Sequence, residues 1–352
     1  MQTTIDLEKL HALAGTVIND VGAISNAALV AAGERLGLFK ALAEGPATSE
    51  ELAERTGCAE RYLREWLSAQ AASGYVTYDP ATTQFSLSPE QEMIFVDEES
   101  PVYLLGGFTT SISVIRDGHK LDAAFQSGQG IDWGNHDGCL FCGTAKFLQT
   151  GYRANLVETW LPALEGVVPK LEAGARVADV GCGYGYSTVL MAKAYPESSF
   201  FGFDYHEPSI VEARKLASEA GLSNVRFEVA AAKALSGGPY DLIAYFDCLH
   251  DMGDPVGAVA HARTQLKADG TLLIVEPFAH DHLEHNLNPV SRAFYAASTA
   301  ICTPSSLSQE VGLALGAQAG QSKLRAVLAE GGYRNVRLAA ESPFNLVLEA
   351  KN

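Results

Sequence analysis

Four carboxylates and one imidazole stand where apolar runs of this chain end. Asp204 closes Phe200-Phe-Gly-Phe203. Asp247-Cys-Leu-His250-Asp251 follows Tyr240-Asp-Leu-Ile-Ala-Tyr-Phe246, and Glu276 closes Thr271-Leu-Leu-Ile-Val275. Runs of this kind read as buried parallel strands, and ligands in an open α/β sheet lie beyond the carboxyl ends of the strands. One strand thus delivers a histidine into a site, and the next delivers a carboxylate. A histidine of near-neutral pKa suits general base work on a hydroxyl. A carboxylate on its other ring nitrogen would fix the tautomer and favour the imidazolium. His250 is therefore the candidate base, against the alternatives of a satisfied core histidine or a helix cap. Asp251 is evenly placed between a cap and a part in the chemistry.

A glycine turn precedes these residues. Arg176-Val-Ala-Asp-Val-Gly-Cys-Gly-Tyr-Gly-Tyr-Ser-Thr188 reads as a buried strand, a turn and the start of a helix. Glycine permits φ > 0 and close approach of backbone N–H groups to a ligand. The helix opened by Ser187 and Thr188 would attract negative charge, here a ligand carboxylate. A dinucleotide turn is spaced G-x-G-x-x-G. Here the third glycine, Gly185, comes one position too early for a nicotinamide enzyme. The written pattern, D-x-G-x-G-x-G from Asp179, resembles the first motif of class I S-adenosylmethionine (SAM) methyltransferases. Asp204 follows Gly185 by 19 residues (204 − 185 = 19), where an acidic residue can accept two ribose hydroxyls. The resemblance implies SAM as cofactor and S-adenosylhomocysteine as its product. It makes Asp179, Gly181, Cys182, Gly183, Gly185 and Asp204 cofactor residues, with Tyr205, Ala231, Ala232, Phe246 and Asp247 beside them at the strand ends.

The elements that must hold these groups alternate strand and helix from residue 174 to 275, the signature of a Rossmann-like α/β sheet with helices on both faces. Ser209-Ile-Val-Glu212 reads as a capping box for the second helix, and Asp254-Pro255 as the start of the next. Residues 277–320 are an insertion able to cover a substrate. The N-terminus is mostly helical. Leu7, Leu10, Leu13, Val17, Val21 and Ile24 make one apolar stripe. Residues 48–88 read as a winged helix, with Ser49 as cap, Tyr62, Leu63, Trp66 and Leu67 on one helix face, and a hairpin wing. Gly128 to Gly143 reads as a loop, and Thr144 to Leu164 as a helix. The expected domains are 1–90, helical winged-helix and dimerisation; 91–172, a helical substrate-side linker; and 173–352, the SAM domain.

A winged-helix domain, a SAM fold and a His-Asp pair after the fourth strand resemble the small-molecule O-methyltransferases of the caffeic acid type. The wording Cys-Leu-His-Asp-Met-Gly-Asp-Pro is similar to a bacterial branch of that family. The resemblance implies His250 as base, Glu276 as its orienting partner, and a homodimer built through the N-terminal helices. Three departures stand out: Met252 replaces a tryptophan, Phe246 replaces a lysine that touches the cofactor, and Ala230-Ala231-Ala232 lacks an acidic residue for the adenine amino group. Apolar walls for a substrate would come from Trp133, Phe141, Phe278 and Tyr295, with Tyr152 on the helix that leads into the SAM domain.

Other features bound the reading. The 352 residues are 47% hydrophobic, and the formal net charge is −17. That field repels nucleic acid and anionic membrane. The would-be recognition helix balances Arg61 and Arg64 with Glu60 and Glu65, whereas DNA affinity needs several unpaired cations. Met1 to Glu8 carry no signal-peptide pattern, no uninterrupted apolar run would span a bilayer, and six cysteines make no disulfide framework. A cytoplasmic setting is expected. Cys139-Leu-Phe-Cys142 has zinc spacing without a second pair, and His280-Asp-His282-Leu-Glu-His285 has no fixed geometry; no metal is expected. The sequence points first to SAM-dependent methyl transfer to oxygen of a small molecule. An amine or thiol acceptor stays open, as does a SAM-sensing winged-helix regulator without turnover.

Overall fold

The structure is a computed structural model and describes residues 5–352; Met1 to Thr4, part of the segment read for a leader, lie outside the described residues. The chain divides into two compact units, one running up to Ile112 together with Cys142–Thr150, the other comprising Ser113–Phe141 and Gly151–Asn352.

The first unit is built on a helix, Leu7–Arg35, capped by the Asp6 carboxylate, which accepts the Glu8 and Lys9 N–H groups. By length and composition this helix alone among the described residues could cross a membrane, although the sequence reading expected no such run. Its last third is held by protein. Val30 and Ala31 are buried, Trp66 Nε1 donates to Leu29 O at 2.9 Å, and Lys146 pairs with Glu34. The next helix, Ser49–Thr56, is capped by Thr48, not Ser49. Thr48 Oγ1 accepts the Glu51 N–H at 3.2 Å while Glu51 Oε2 accepts the Thr48 N–H at 2.7 Å. That reciprocal bond needs its acidic partner three residues on, which Thr48 has and Ser49 lacks. Helix Glu60–Ala72 buries Leu63, Trp66 and Leu67, but Tyr62 is 81% exposed, one helical step off that face. Strands β1 (Thr77–Asp79) and β2 (Gln84–Ser86) form the wing. On the second helix Arg61 pairs with Glu65 at 2.7 Å and Arg64 with Glu60 at 2.8 Å, so neither cation stands uncompensated toward a phosphate.

The second unit carries a seven-stranded sheet. Its strands are β3 (Arg176–Val180), β4 (Ser199–Asp204), β5 (Val225–Val229), β6 (Tyr240–Phe246), β7 (Leu266–Pro277), β8 (Asn335–Glu341) and β9 (Asn345–Lys351), in the order β5-β4-β3-β6-β7-β9-β8. Strands β3 to β7 run parallel to one another; β9 runs antiparallel to β7 and β8. Every residue of β6 is buried, as a strand covered by helices on both faces must be. After β3 the chain builds outward through β4 and β5, then returns to the other side of β3 for β6. That reversal opens a crevice at the carboxyl ends of β3 and β6.

Local differences from the sequence reading have local causes. Helix Cys139–Asn155 begins five residues before the expected Thr144, because Asp137 Oδ1 accepts the Cys139 N–H at 2.9 Å and buried Leu140 anchors the first turn. A π-turn, Leu156–Trp160, follows it. Helix Glu207–Glu219 starts before Ser209, with a proline in its first turn. The Ser209 hydroxyl bonds His206 Nδ1 at 2.8 Å, so no capping box forms there.

The turn after β3 needs its glycines. Gly185 has φ +77°, and a Cβ there would lie 2.7 Å from Phe227 Cζ and 3.0 Å from Ala213 Cβ. Gly185→Ala is expected to lose about 2 kcal/mol or more from combined backbone strain and overpacking. Thermal and urea unfolding would measure it, and an unchanged midpoint would mean the helix over the turn can slide away.

Candidate active site

Asp179, at the fourth position of β3, is buried and takes two hydroxyls on one oxygen. Ser187 Oγ and Thr188 Oγ1 each donate to Asp179 Oδ2 at 2.6 Å. The two hydroxyls at the helix start thus satisfy a buried carboxylate of the chain itself. Burial raises the Asp179 pKa to about 6, against the lowering effect of the two hydroxyls. Its Oδ1 is buried with no partner, and beyond Gly183 a Cβ would meet nothing within 4 Å. An orphaned acceptor beside an open glycine cradle fits a ligand with a cationic end, as SAM has.

Asp204 closes the other side of this turn. Its Oδ2 accepts the Gly183 N–H at 2.9 Å and its Oδ1 the His206 N–H at 2.8 Å. Burial raises its pKa, against those two bonds. Each carboxylate oxygen keeps a lone pair for a further donor. Tyr205 is 44% exposed beside it. Ala231 and Ala232 sit in the short turn after β5.

Asp247 follows β6 in a strained, left-handed conformation, φ +49°. Its Oδ2 accepts the Tyr152 hydroxyl and its Oδ1 the Asn345 amide, each at 3.0 Å. Burial and the nearby Glu276 charge raise its pKa to about 7. Phe246 is buried against Tyr152 and Trp160, with ring centroids 5.6 and 6.5 Å away. Strain of this kind persists only where the surroundings over-determine it. Asn345, at the start of β9, carries no sequence signal for this place.

His250 sits on a single 3-10 turn, Leu249–Asp251. Its Nδ1 meets Glu276 Oε2, and Glu276 Oε1 accepts the Leu249 N–H at 2.8 Å. Both side chains are nearly inaccessible, at 5% and 2%. On the other edge of the ring Nε2 lies 3.2 Å from Asp251 Oδ1. Burial opposes the imidazolium, yet the Asp251 and Glu276 charges outweigh it and raise the His250 pKa well above its usual value. The ring is thus clamped between two carboxylates, and Glu276 fixes its orientation and tautomer.

The proposed substrate residues are less gathered. Trp133 and Phe141 meet edge to face at 5.5 Å, and Phe141 stacks on His206 at 4.5 Å. Phe278 sits edge-on to His280 at 5.0 Å. Tyr295 lines a separate cavity of about 390 Å³ with His280, Asn286, Gln318 and Lys323. The rings of His280, His282 and His285 are neighbours, 5.6 and 6.2 Å apart in sequence-ordered contacts with His285. Among the described residues neither they nor Cys139 and Cys142 belong to a group of three converging donor atoms.

Residues 171–332 match the Methyltransferase domain family, and residues 24–96 match the Rv2258c-like winged HTH domain. The chain is 30% identical over 124 residues to trans-aconitate 2-methyltransferase of Deinococcus radiodurans, covering 35% of this chain and 46% of that one. It spans less than half the length of the curated relatives it matches, from 12% to 46% in the first three. Human N-acetylserotonin methyltransferase, solved with SAM, superposes with a TM-score of 0.70 at 17% identity, over 100% of this chain and 99% of that one. Mitomycin 7-O-methyltransferase superposes with a TM-score of 0.67 at 20% identity, over 99% and 100%. At such identities the likeness is one of fold. Residues 171–332 thus match a methyltransferase domain and residues 24–96 a winged helix-turn-helix domain, and the glycine turn with its orphaned carboxylate lies within the first of these matches.

Proposed function

We propose that the protein methylates an oxygen of a small organic molecule, with His250 as general base and Glu276 as its positioning residue. The observation that supports this most is the His250–Glu276 pair, buried at the ends of adjacent strands β6 and β7. Bound SAM would supply an electrophilic methyl group on a sulfonium. Asp179, Gly181, Cys182, Gly183, Gly185 and Asp204 would hold it, with Tyr205, Ala231, Ala232, Phe246 and Asp247 lining its place. The acceptor hydroxyl would displace Asp251 from Nε2, removing one of the two charges that favour the imidazolium, and the ring, once neutral, would take the hydroxyl proton on that nitrogen as the oxygen attacks. Glu276 keeps the other nitrogen protonated, so the lone pair points outward. Trp133, Phe141, Tyr152, Phe278 and Tyr295 are assigned to the acceptor. The test incubates the protein with methyl-labelled SAM and a panel of phenols, carboxylates, amines and thiols. Label on a hydroxyl is expected; label on amines or thiols alone would overturn the acceptor class.

The three-part division at residues 90 and 172 and the homodimer belong to the same reading. Leu7, Leu13, Val17, Ile18, Val21 and Ile24 are 50–67% exposed along the N-terminal helix. A contiguous apolar face of this kind marks an interaction surface, and a second copy of the helix is the occupant the reading assigns to it. Light scattering is expected to give a dimer, and Val17→Asp with Val21→Asp a monomer. A monomeric wild type would remove the dimer. A reducing, cytoplasmic setting fits six cysteines with no disulfide among them.

A further inference from the structure

We propose that His250, Asp251 and Cys302 form a binding site for one zinc-class divalent cation, and that filling it blocks methyl transfer. Among the described residues they are one group of three whose donor atoms all lie within 4.8 Å of one another. Cys302 ends a π-turn, Ser298–Cys302, in the segment 52 residues beyond His250 (302 − 250 = 52).

Three observations support the cation. The first is spacing. His250 Nε2 and Asp251 Oδ1 are 3.2 Å apart, and two ligands about 2.0–2.1 Å from one tetrahedral ion stand roughly 3.3 Å apart. The second is a polar atom without a hydrogen bond. Asp251 Oδ1 is buried, faces Nε2 as an ion pair, and has no hydrogen-bond partner. Buried acceptors are rarely left so, and an ion is one standard explanation. The third is the surrounding support. Glu276 holds the other nitrogen of His250, the carboxylate–histidine arrangement that orients imidazole ligands and raises their basicity. His136 adds a second imidazole within electrostatic reach of Asp251. Its Nδ1 lies 3.1 Å from Asp117 Oδ2, and its Nε2 is buried without a partner.

The donor set selects the ion. Imidazole, thiolate and one carboxylate suit zinc or cobalt; magnesium and calcium prefer oxygen alone. Three protein ligands leave a fourth position for water. Binding costs the Cys302 thiol its proton, which passes to solvent. The cation then holds the nitrogen that would receive the acceptor proton. This last consequence rests on the base reading of His250; the site itself does not.

The test uses the full-length protein, freed of metal with a chelator and titrated with Co²⁺. One equivalent is expected to give a thiolate-to-cobalt charge-transfer band in the near ultraviolet and the intense visible bands of a four-coordinate ion. Zn²⁺ should displace both. Cys302→Ala should lose the charge-transfer band, with Cys302→Ser as a second variant of nearly unchanged volume should alanine loosen the fold. Zn²⁺ should inhibit methyl transfer by the wild type. Each Cys302 variant, compared with its own uninhibited rate, should need more than about 10-fold more zinc for equal inhibition. No charge-transfer band would overturn the site, as would a band that persists in both variants, because another cysteine would then be the ligand. Methyl transfer without the band would sink the site and leave the enzyme reading standing. The band without transfer to any acceptor would sink the enzyme reading and leave the site.

Discussion

His250→Ala is expected to lower kcat for hydroxyl methylation by about 10²–10⁴-fold, the usual contribution of a positioned base, with SAM affinity nearly unchanged. The separation follows from the layout. His250 touches Glu276 and Asp251, while the glycine turn is held by Asp179 and Asp204 through other bonds. Alanine also leaves the Glu276 carboxylate buried without its ring partner, so some stability is lost as well. His250→Gln controls for that. It keeps a donor for Glu276 but has no nitrogen that can accept a proton, and should fall to the same level. Single-turnover kinetics with labelled SAM would measure both variants. Transfer that survives in either one would remove the base and point to an acceptor already ionised in solution.

Asp204→Ala is expected to weaken SAM binding by about 3 kcal/mol, roughly two orders of magnitude in Kd. Two losses combine. If the ribose hydroxyls bind its carboxylate, two charge-assisted bonds disappear. The carboxylate also fastens the turn, since Gly183 and His206 both donate to it. Calorimetric titration with SAM checks the figure, and the His250 variants serve as controls with intact binding. A Kd within about threefold of wild type would place the ribose elsewhere.

Much of the site is legible along the chain because its parts lie at element boundaries with local signatures. Glycines mark the turn after β3. Apolar runs mark β3, β4, β6 and β7, and the residue ending each run must lie at one edge of a parallel sheet. The order of Asp204, His250 and Glu276 therefore already implies a common site. The winged helix is legible for the same reason: Gly57 and Gly74, both at positive φ, stop its two helices. Cap identity is less so, because Thr48 and Ser49 are both good caps and only the reach of Glu51 decides between them.

What the tertiary structure alone decided lies between residues distant in sequence. Tyr152, Asp247 and Asn345 meet from three elements, and the resulting strain at Asp247 has no local sign. The Ser187 and Thr188 hydroxyls turn to Asp179, because a buried carboxylate near the end of β3 must be satisfied. Cys302 comes to His250 and Asp251 only through the packing of a segment whose sequence shows small residues and little else. Periodicity and spacing specify what each element is and which end of the sheet it feeds. Which side chains from separate elements share a cavity depends on packing, and packing has no local code.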